Sequence, residues 1–182
     1  VPWSTPAEMA YGFSTPRRVV TGHDPDGRSV VVSDGPAPRS QAVGASTFHE
    51  IWSSDETPAP LAPREAREPT ERPLRVPPGP RGTNIRIIDS EPGMRTPMHR
   101  TETLDYGIVI AGRYKLLLDD GSETDLGPGD VVVQRGTGHA WLVAGDEPGR
   151  MAFVLVGGRF TDELRELLPA ELELFDQVID GE

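Results

Sequence analysis

The chain contains no cysteine. That excludes disulfides, a thiol nucleophile and thiolate metal sites, so any metal must be held by histidine, carboxylate and water. Lysine is almost absent too, with Lys115 alone against seventeen arginines. A Schiff-base mechanism would have to use Lys115, whose run Arg113–Asp119 reads as a strand, where a solvated lysine is the ordinary outcome. Positive charge is in deficit overall, the formal net charge being −11. This argues against nucleic-acid phosphates and anionic membrane surfaces as partners. No apolar run approaches the roughly 20 residues of a transmembrane helix, and no positively charged, apolar leader opens the sequence. The expectation is a soluble, cytoplasmic protein. A Walker-type phosphate loop, a strand–GxGxxG–helix unit and a Gly-x-Ser-x-Gly elbow are all missing, which leaves a nucleotide cofactor without support.

Proline and glycine are plentiful, at 19 and 20 of 182 residues. Residues 58–80 hold eight prolines and are expected to form no regular structure. Before them, Arg18–His23 and Arg28–Ser33 flank the turn sequence Asp24-Pro25-Asp26-Gly27 and predict a hairpin, and Thr47–Trp52 alternates like a further strand. From Thr83 the pattern is all-β, with strands expected at 83–89, 97–101, 104–111, 113–119, 122–126, 130–134, 139–145 and 150–157. Gly112, Asp120-Gly121, Gly127-Pro128-Gly129, Gly136–Gly138 and Glu147-Pro148-Gly149 supply the turns. Short, evenly spaced strands point to a sandwich or barrel. After Gly158 the composition turns helical. Thr161 is placed to cap a helix through Leu164, Leu167 and Leu168, and Pro169 to open a second carrying Leu172, Leu174, Phe175, Val178 and Ile179. These apolar positions are expected to pack on a sheet or another subunit. The divisions are an N-terminal arm and β-hairpin extension (1–57), a Pro-rich loop (58–82), a barrel core (83–158) and a helical tail (159–182).

Two segments carry the chemistry. The first runs from Gly93 through His99, Thr101 and Asp105 to Gly112; the second runs from Gly129 through Arg135 to His139 and Val143. This arrangement resembles the paired motifs of the cupin superfamily, specifically a small single-barrel, type-2 bacterial cupin, over roughly residues 83–157. Thr101 stands where the first motif has its second histidine and Asp105 where it has glutamate. The second motif is one residue short, with Arg135 at the proline position and Val143 at the asparagine. The resemblance implies an all-β double-stranded β-helix (jelly-roll barrel) and a homodimer formed by exchange of N-terminal strands, for which the hairpin at 17–33 is the candidate.

It also implies a divalent transition metal (Fe, Mn, Ni or Zn). Strand alternation puts His99 and Thr101 on one face, with Asp105 in phase and Glu102 out of phase. His99, Asp105 and His139 are therefore the expected ligands, with Gln134 as a possible further oxygen donor and Glu102 as the alternative carboxylate. Without metal, His99 and His139 remain suited to general acid–base work near neutrality. Glu102 and Tyr106 are the candidate proton relays, and Thr101, Tyr114, Arg135 and Trp141 the candidate substrate contacts. The function implied is a lyase or isomerase of decarboxylase or dehydratase type, acting on a small oxygenated organic acid in catabolism or natural-product biosynthesis. An Fe(II)-dependent oxygenase and a non-catalytic small-ligand-binding barrel are the alternatives.

Overall fold

A computed structural model describes residues 9–65, 67–169, 174–175 and 178–179. Two short strands, β1 (Met9–Ala10) and β2 (Phe13–Ser14), pair at the start. The expected hairpin follows as β3 (Arg17–His23) and β4 (Ser29–Pro36). Its turn closes as the side chains dictate, since Asp24 accepts from the backbone N–H groups of Asp26 and Arg28.

The barrel proper has two walls. The larger is a six-stranded sheet in the order β12 (Val131–Arg135), β9 (Thr103–Ala111), β14 (Gly149–Gly157), β8 (Thr83–Ser90), β6 (Ser46–Ser54) and β5 (Arg39–Val43). The smaller has β10 (Arg113–Leu118) between β11 (Glu123–Leu126) and β13 (His139–Ala144). Every pairing is antiparallel. The large sheet thus draws β5 and β6 from before the Pro-rich segment. Val109, Tyr114, Leu116, Trp141, Val143 and Met151 form the core between the walls. On β9, burial alternates so that Asp105, Gly107 and Val109 face inward while Tyr106 and Ile110 face out. Gly112 turns β9 into β10 at φ +79°, where a Cβ would lie 2.6 Å from the Pro148 carbonyl oxygen. No side chain fits there.

Three expectations need correction. Residues 97–101 form no strand. Isolated bridges at Arg95–Leu142 and His99–His139 replace it, because Pro97 has no N–H to donate to a ladder. The Pro-rich stretch is not wholly irregular, since β7 (Leu74–Arg75) pairs with β15 (Val178–Ile179). Val178 and Ile179 therefore lie in a strand and not in a second helix; Leu172 lies outside the described residues. The first helix, α1 (Asp162–Leu167), is capped by Thr161 as expected but buries none of its residues, and Leu167 is largely exposed.

Outside the barrel, Asp89 is fully buried and accepts from Arg150 Nε at 2.5 Å and Arg150 Nη2 at 2.7 Å. His49 Nε2 lies 3.0 Å from the same carboxylate, and its Nδ1 lies 2.7 Å from Ser40 Oγ. Burial pushes the Asp89 carboxyl up, but Arg150 and His49 together outweigh it and hold it below the usual range. Arg150 also donates to the Ser14 carbonyl and lies over the Phe13 ring, so the network fastens the N-terminal arm to the sheet. Asp89→Ala removes the carboxylate that Arg150 and His49 share and is expected to cost about 3 kcal/mol in chemical denaturation. His49 belongs to this clamp.

Candidate functional site

The two motif segments meet through backbone bonds. His99 N–H donates to the His139 carbonyl and His139 N–H to the His99 carbonyl, each at 2.9 Å. Such a reciprocal pair sets both side chains on one face, and the imidazole centroids are 4.2 Å apart, tilted by 55°. The two rings are held in the same way. His99 Nδ1 lies 2.9 Å from the Pro97 carbonyl oxygen, and His139 Nδ1 lies 2.9 Å from that of Thr137. A carbonyl only accepts, so Nδ1 carries the proton in each ring and both Nε2 lone pairs are left free. Gly136, at φ +64°, helps aim this segment; a Cβ there would meet the Phe160 ring at 2.5 Å. Phe175 packs on His99 with ring centroids 5.4 Å apart, and its N–H donates to the Arg100 carbonyl at 2.8 Å.

Both histidines line a cavity of about 690 Å3, open mouth included. Thr101, Asp105, Tyr114, Gln134 and Trp141 line it as well, so most of the expected site residues are brought together. Three are not. Glu102 faces away, accepting from Phe160 N–H at 2.8 Å and Arg165 at 2.7 Å. Tyr106 lies on the outer face of β9, 38% exposed, and Arg135 is exposed at the end of β12. None of the three lines the cavity. Arg100 bonds to the Gly136 carbonyl and Asp119, both at 2.7 Å, and ties the two motifs together.

Burial sets the electrostatics. Removal from water pushes the His139 imidazole down to about 4, with the neighbouring His99 charge adding to the effect. The same cause lowers His99, against the Pro97 carbonyl. Asp105 moves the other way: burial raises its carboxyl to about 6, against the pull of the Thr103 and Thr101 hydroxyls and the Arg86 charge. At neutrality the cavity therefore holds two uncharged bases and an acid of unusually weak strength.

Among the described residues, no three His, Asp or Glu side chains come together as a metal-holding group. His99 and His139 can each offer Nε2, but Asp105 does not join them. It sits on β9 of the large sheet opposite Gln134, whereas His139 belongs to β13 of the small one. Its Oδ1 has no hydrogen-bond partner, and neither does Gln134 Nε2. The expected three-ligand set does not fit this arrangement, because a catalytic site of that kind needs three protein donors on one ion.

Sequence reasoning missed Arg86, which is 2% exposed and lines the cavity. Its Nε lies 3.0 Å from Glu50, and its Nη2 donates to the Arg75 carbonyl at 2.7 Å. The available signal was its parity with Ile88 on the strand expected at 83–89.

A family model described as a cupin domain matches residues 86–156. A cupin-domain-containing oxidoreductase, fogC, of Aspergillus ruber is 38% identical over 164 residues, covering 86% of this chain and 79% of that protein. The chain belongs to the cupin family. Other relatives of this cupin are fungal as well. They include phomopsin biosynthesis cluster protein C′ of Diaporthe leptostromiformis (39% identical, 77% of each chain) and the cupin-domain-containing oxidoreductase virC of Hypocrea virens (36% identical, 81% of this chain and 78% of that one). The bacterial subgroup expected from the motifs is therefore not supported. Among solved structures, the cupin domain of Schizosaccharomyces pombe Cnp3 is similar over 83% of this chain and 91% of that one, at 11% identity and TM-score 0.48. No helix among the described residues is long and apolar enough to cross a membrane.

Proposed function

We propose that this cupin is an enzyme of small-molecule biosynthesis that relocates a proton on an oxygenated substrate, as an isomerase or a lyase. The observation that carries this reading is the His99–His139 pair, two rings 4.2 Å apart in one cavity with both Nδ1 atoms pinned. One neutral Nε2 takes a proton from a carbon next to a carbonyl, and the imidazolium so formed returns it at another position of the enolate, which leaves both rings uncharged again. Gln134 Nε2 lies on the facing wall, where it is suited to donate to the oxygen on which negative charge develops, and the Asp105 carboxyl beside it adds a second donor below about pH 6, where it holds its proton. Phomopsin cluster membership among the relatives supports a biosynthetic setting.

A second reading, oxidation, is favoured by the printed names of relatives such as fogC and virC. It requires an electron acceptor such as dioxygen. The two are separated by following α-proton exchange of an enolisable ketone, 2-tetralone, in deuterated buffer by NMR. The proton-transfer reading expects exchange well above the buffer rate, unchanged by EDTA and by exclusion of air. Exchange abolished by chelator contradicts it, and product formation that consumes oxygen in step supports the oxidative reading. Binding without exchange or turnover would leave a ligand-binding barrel.

A further inference from the structure

We infer that the cavity takes an uncharged carbonyl compound with a flat, apolar body, and that it discriminates against the corresponding carboxylate. This rests on the cavity being the reaction site, and it replaces the organic acid expected from the sequence. Phe48, Trp141, Phe153, Met94, Met151 and Ile88 line the space. Trp141 stands edge-on to Phe153 at a centroid separation of 5.5 Å. Aromatic and thioether surfaces of this kind favour a planar apolar guest.

The polar end is more selective. Asp105 and Gln134 face each other across β9 and β12, 5% and 3% exposed. Asp105 Oδ1 and Gln134 Nε2 both lack partners. A buried amide donor without an acceptor carries a substantial cost that a guest oxygen would remove. A ketone or aldehyde oxygen accepts from Gln134 Nε2 and adds no charge beside Asp105.

A carboxylate fares worse because the lining supplies no spare cation. Arg86 is the one guanidinium among the lining residues, and it is engaged by Glu50 and the Arg75 carbonyl. Arg86 already serves two acids, Glu50 and Asp105, and burial raises both carboxyls against its pull. A third carboxylate would bring an uncompensated charge into a desolvated site. Arg100 and Arg135, which flank the two motifs, do not line the cavity. Among lyases, this favours dehydration over decarboxylation.

The test compares two guests of nearly equal shape, 2-acetylnaphthalene and 2-naphthoate, by calorimetric titration, with the Trp141 indole NMR signal reporting location. At neutral pH the ketone is expected to bind at least about thirtyfold more tightly. Gln134→Leu is expected to weaken the ketone about tenfold and leave naphthoate unchanged. Should that variant not fold, the wild-type ratio alone decides. Naphthoate binding as tightly as the ketone, with Trp141 shifted, overturns this inference and leaves the proton-transfer reading intact. Neither guest shifting Trp141 overturns both.

Discussion

Asp105→Asn is expected to make the protein more stable at pH 7.5 and to remove a bend near pH 6 from the rate of its reaction. The carboxyl titrates at 3.8 in an unfolded chain and at about 6 in the fold. Between these values the folded state keeps a proton that the unfolded chain has released, so stability falls as pH rises. Above pH 6 the whole cost is present, about 3 kcal/mol at 1.36 kcal/mol per pH unit. Asparagine keeps the shape and carries no charge, so chemical denaturation should show most of that energy recovered at pH 7.5 and little change at pH 4. A buried acid that weakens its own fold fits a functional group better than a structural one. The rate of 2-tetralone exchange should bend near pH 6 in the wild type and lose the bend in the variant. An unchanged stability at pH 7.5 would show that Asp105 is not ionised at a cost within the fold.

His139→Asn is expected to reduce the exchange rate by at least about 100-fold, within the range typical of a general acid–base group. Asparagine can still donate to the Thr137 carbonyl, but it removes the Nε2 lone pair on which the reaction depends. Binding of 2-acetylnaphthalene should change little, which separates loss of chemistry from loss of the cavity. The same variant has a stability signature of opposite sign to that of Asp105. The His139 imidazole titrates at 6.5 unfolded and about 4 folded. Between those values the unfolded chain binds a proton that the folded ring refuses, so stability is lost as pH falls. In the wild type the Asp105 and His139 slopes oppose each other across pH 4–6 and partly cancel. His139→Asn should expose the Asp105 slope, giving a protein more stable at pH 5 than at pH 7.5. Asp105→Asn should expose the reverse. A retained exchange rate in His139→Asn would remove this ring from the reaction.

Much of the architecture was written in short-range chemistry. Turn residues such as Asp24-Pro25-Asp26-Gly27 and Gly112 act within a few positions, and the strands between them followed from their spacing. The spacing of His99 and His139 likewise foretold that both rings share one cavity. What the sequence could not show depends on distance across the barrel. Parity placed Asp105 inward correctly, yet facing inward from β9 is not the same as reaching a ring on β13, and the three-ligand site fails on that step.

Strand β8 misleads in another way. Ile85 and Ile87 alternate with Asn84 and Arg86, and simple amphipathic logic would bury the isoleucines. The fold instead buries Asn84 and Arg86, because Glu50 on the neighbouring β6 supplies the counter-charge. The pairing of β15 with β7 joins residues a hundred positions apart and has no local signal at all. Glu102 and Tyr106 were assigned to chemistry by proximity in sequence, and the alternation of β9 turns Tyr106 outward.

The proposed proton transfer depends on two neutral imidazoles with protonated Nδ1 and free Nε2. Long-range 1H–15N correlation spectra of 15N-histidine-labelled protein, recorded from pH 7.5 down to 4.5, measure this for each ring. Assignments come from His99→Asn and His139→Asn. Both rings are expected in the Nδ1–H tautomer, with His139 uncharged until the pH approaches 4 and His99 titrating below the usual 6.5. Either ring in the Nε2–H tautomer, or His139 charged at pH 6, would contradict the proposed proton transfer.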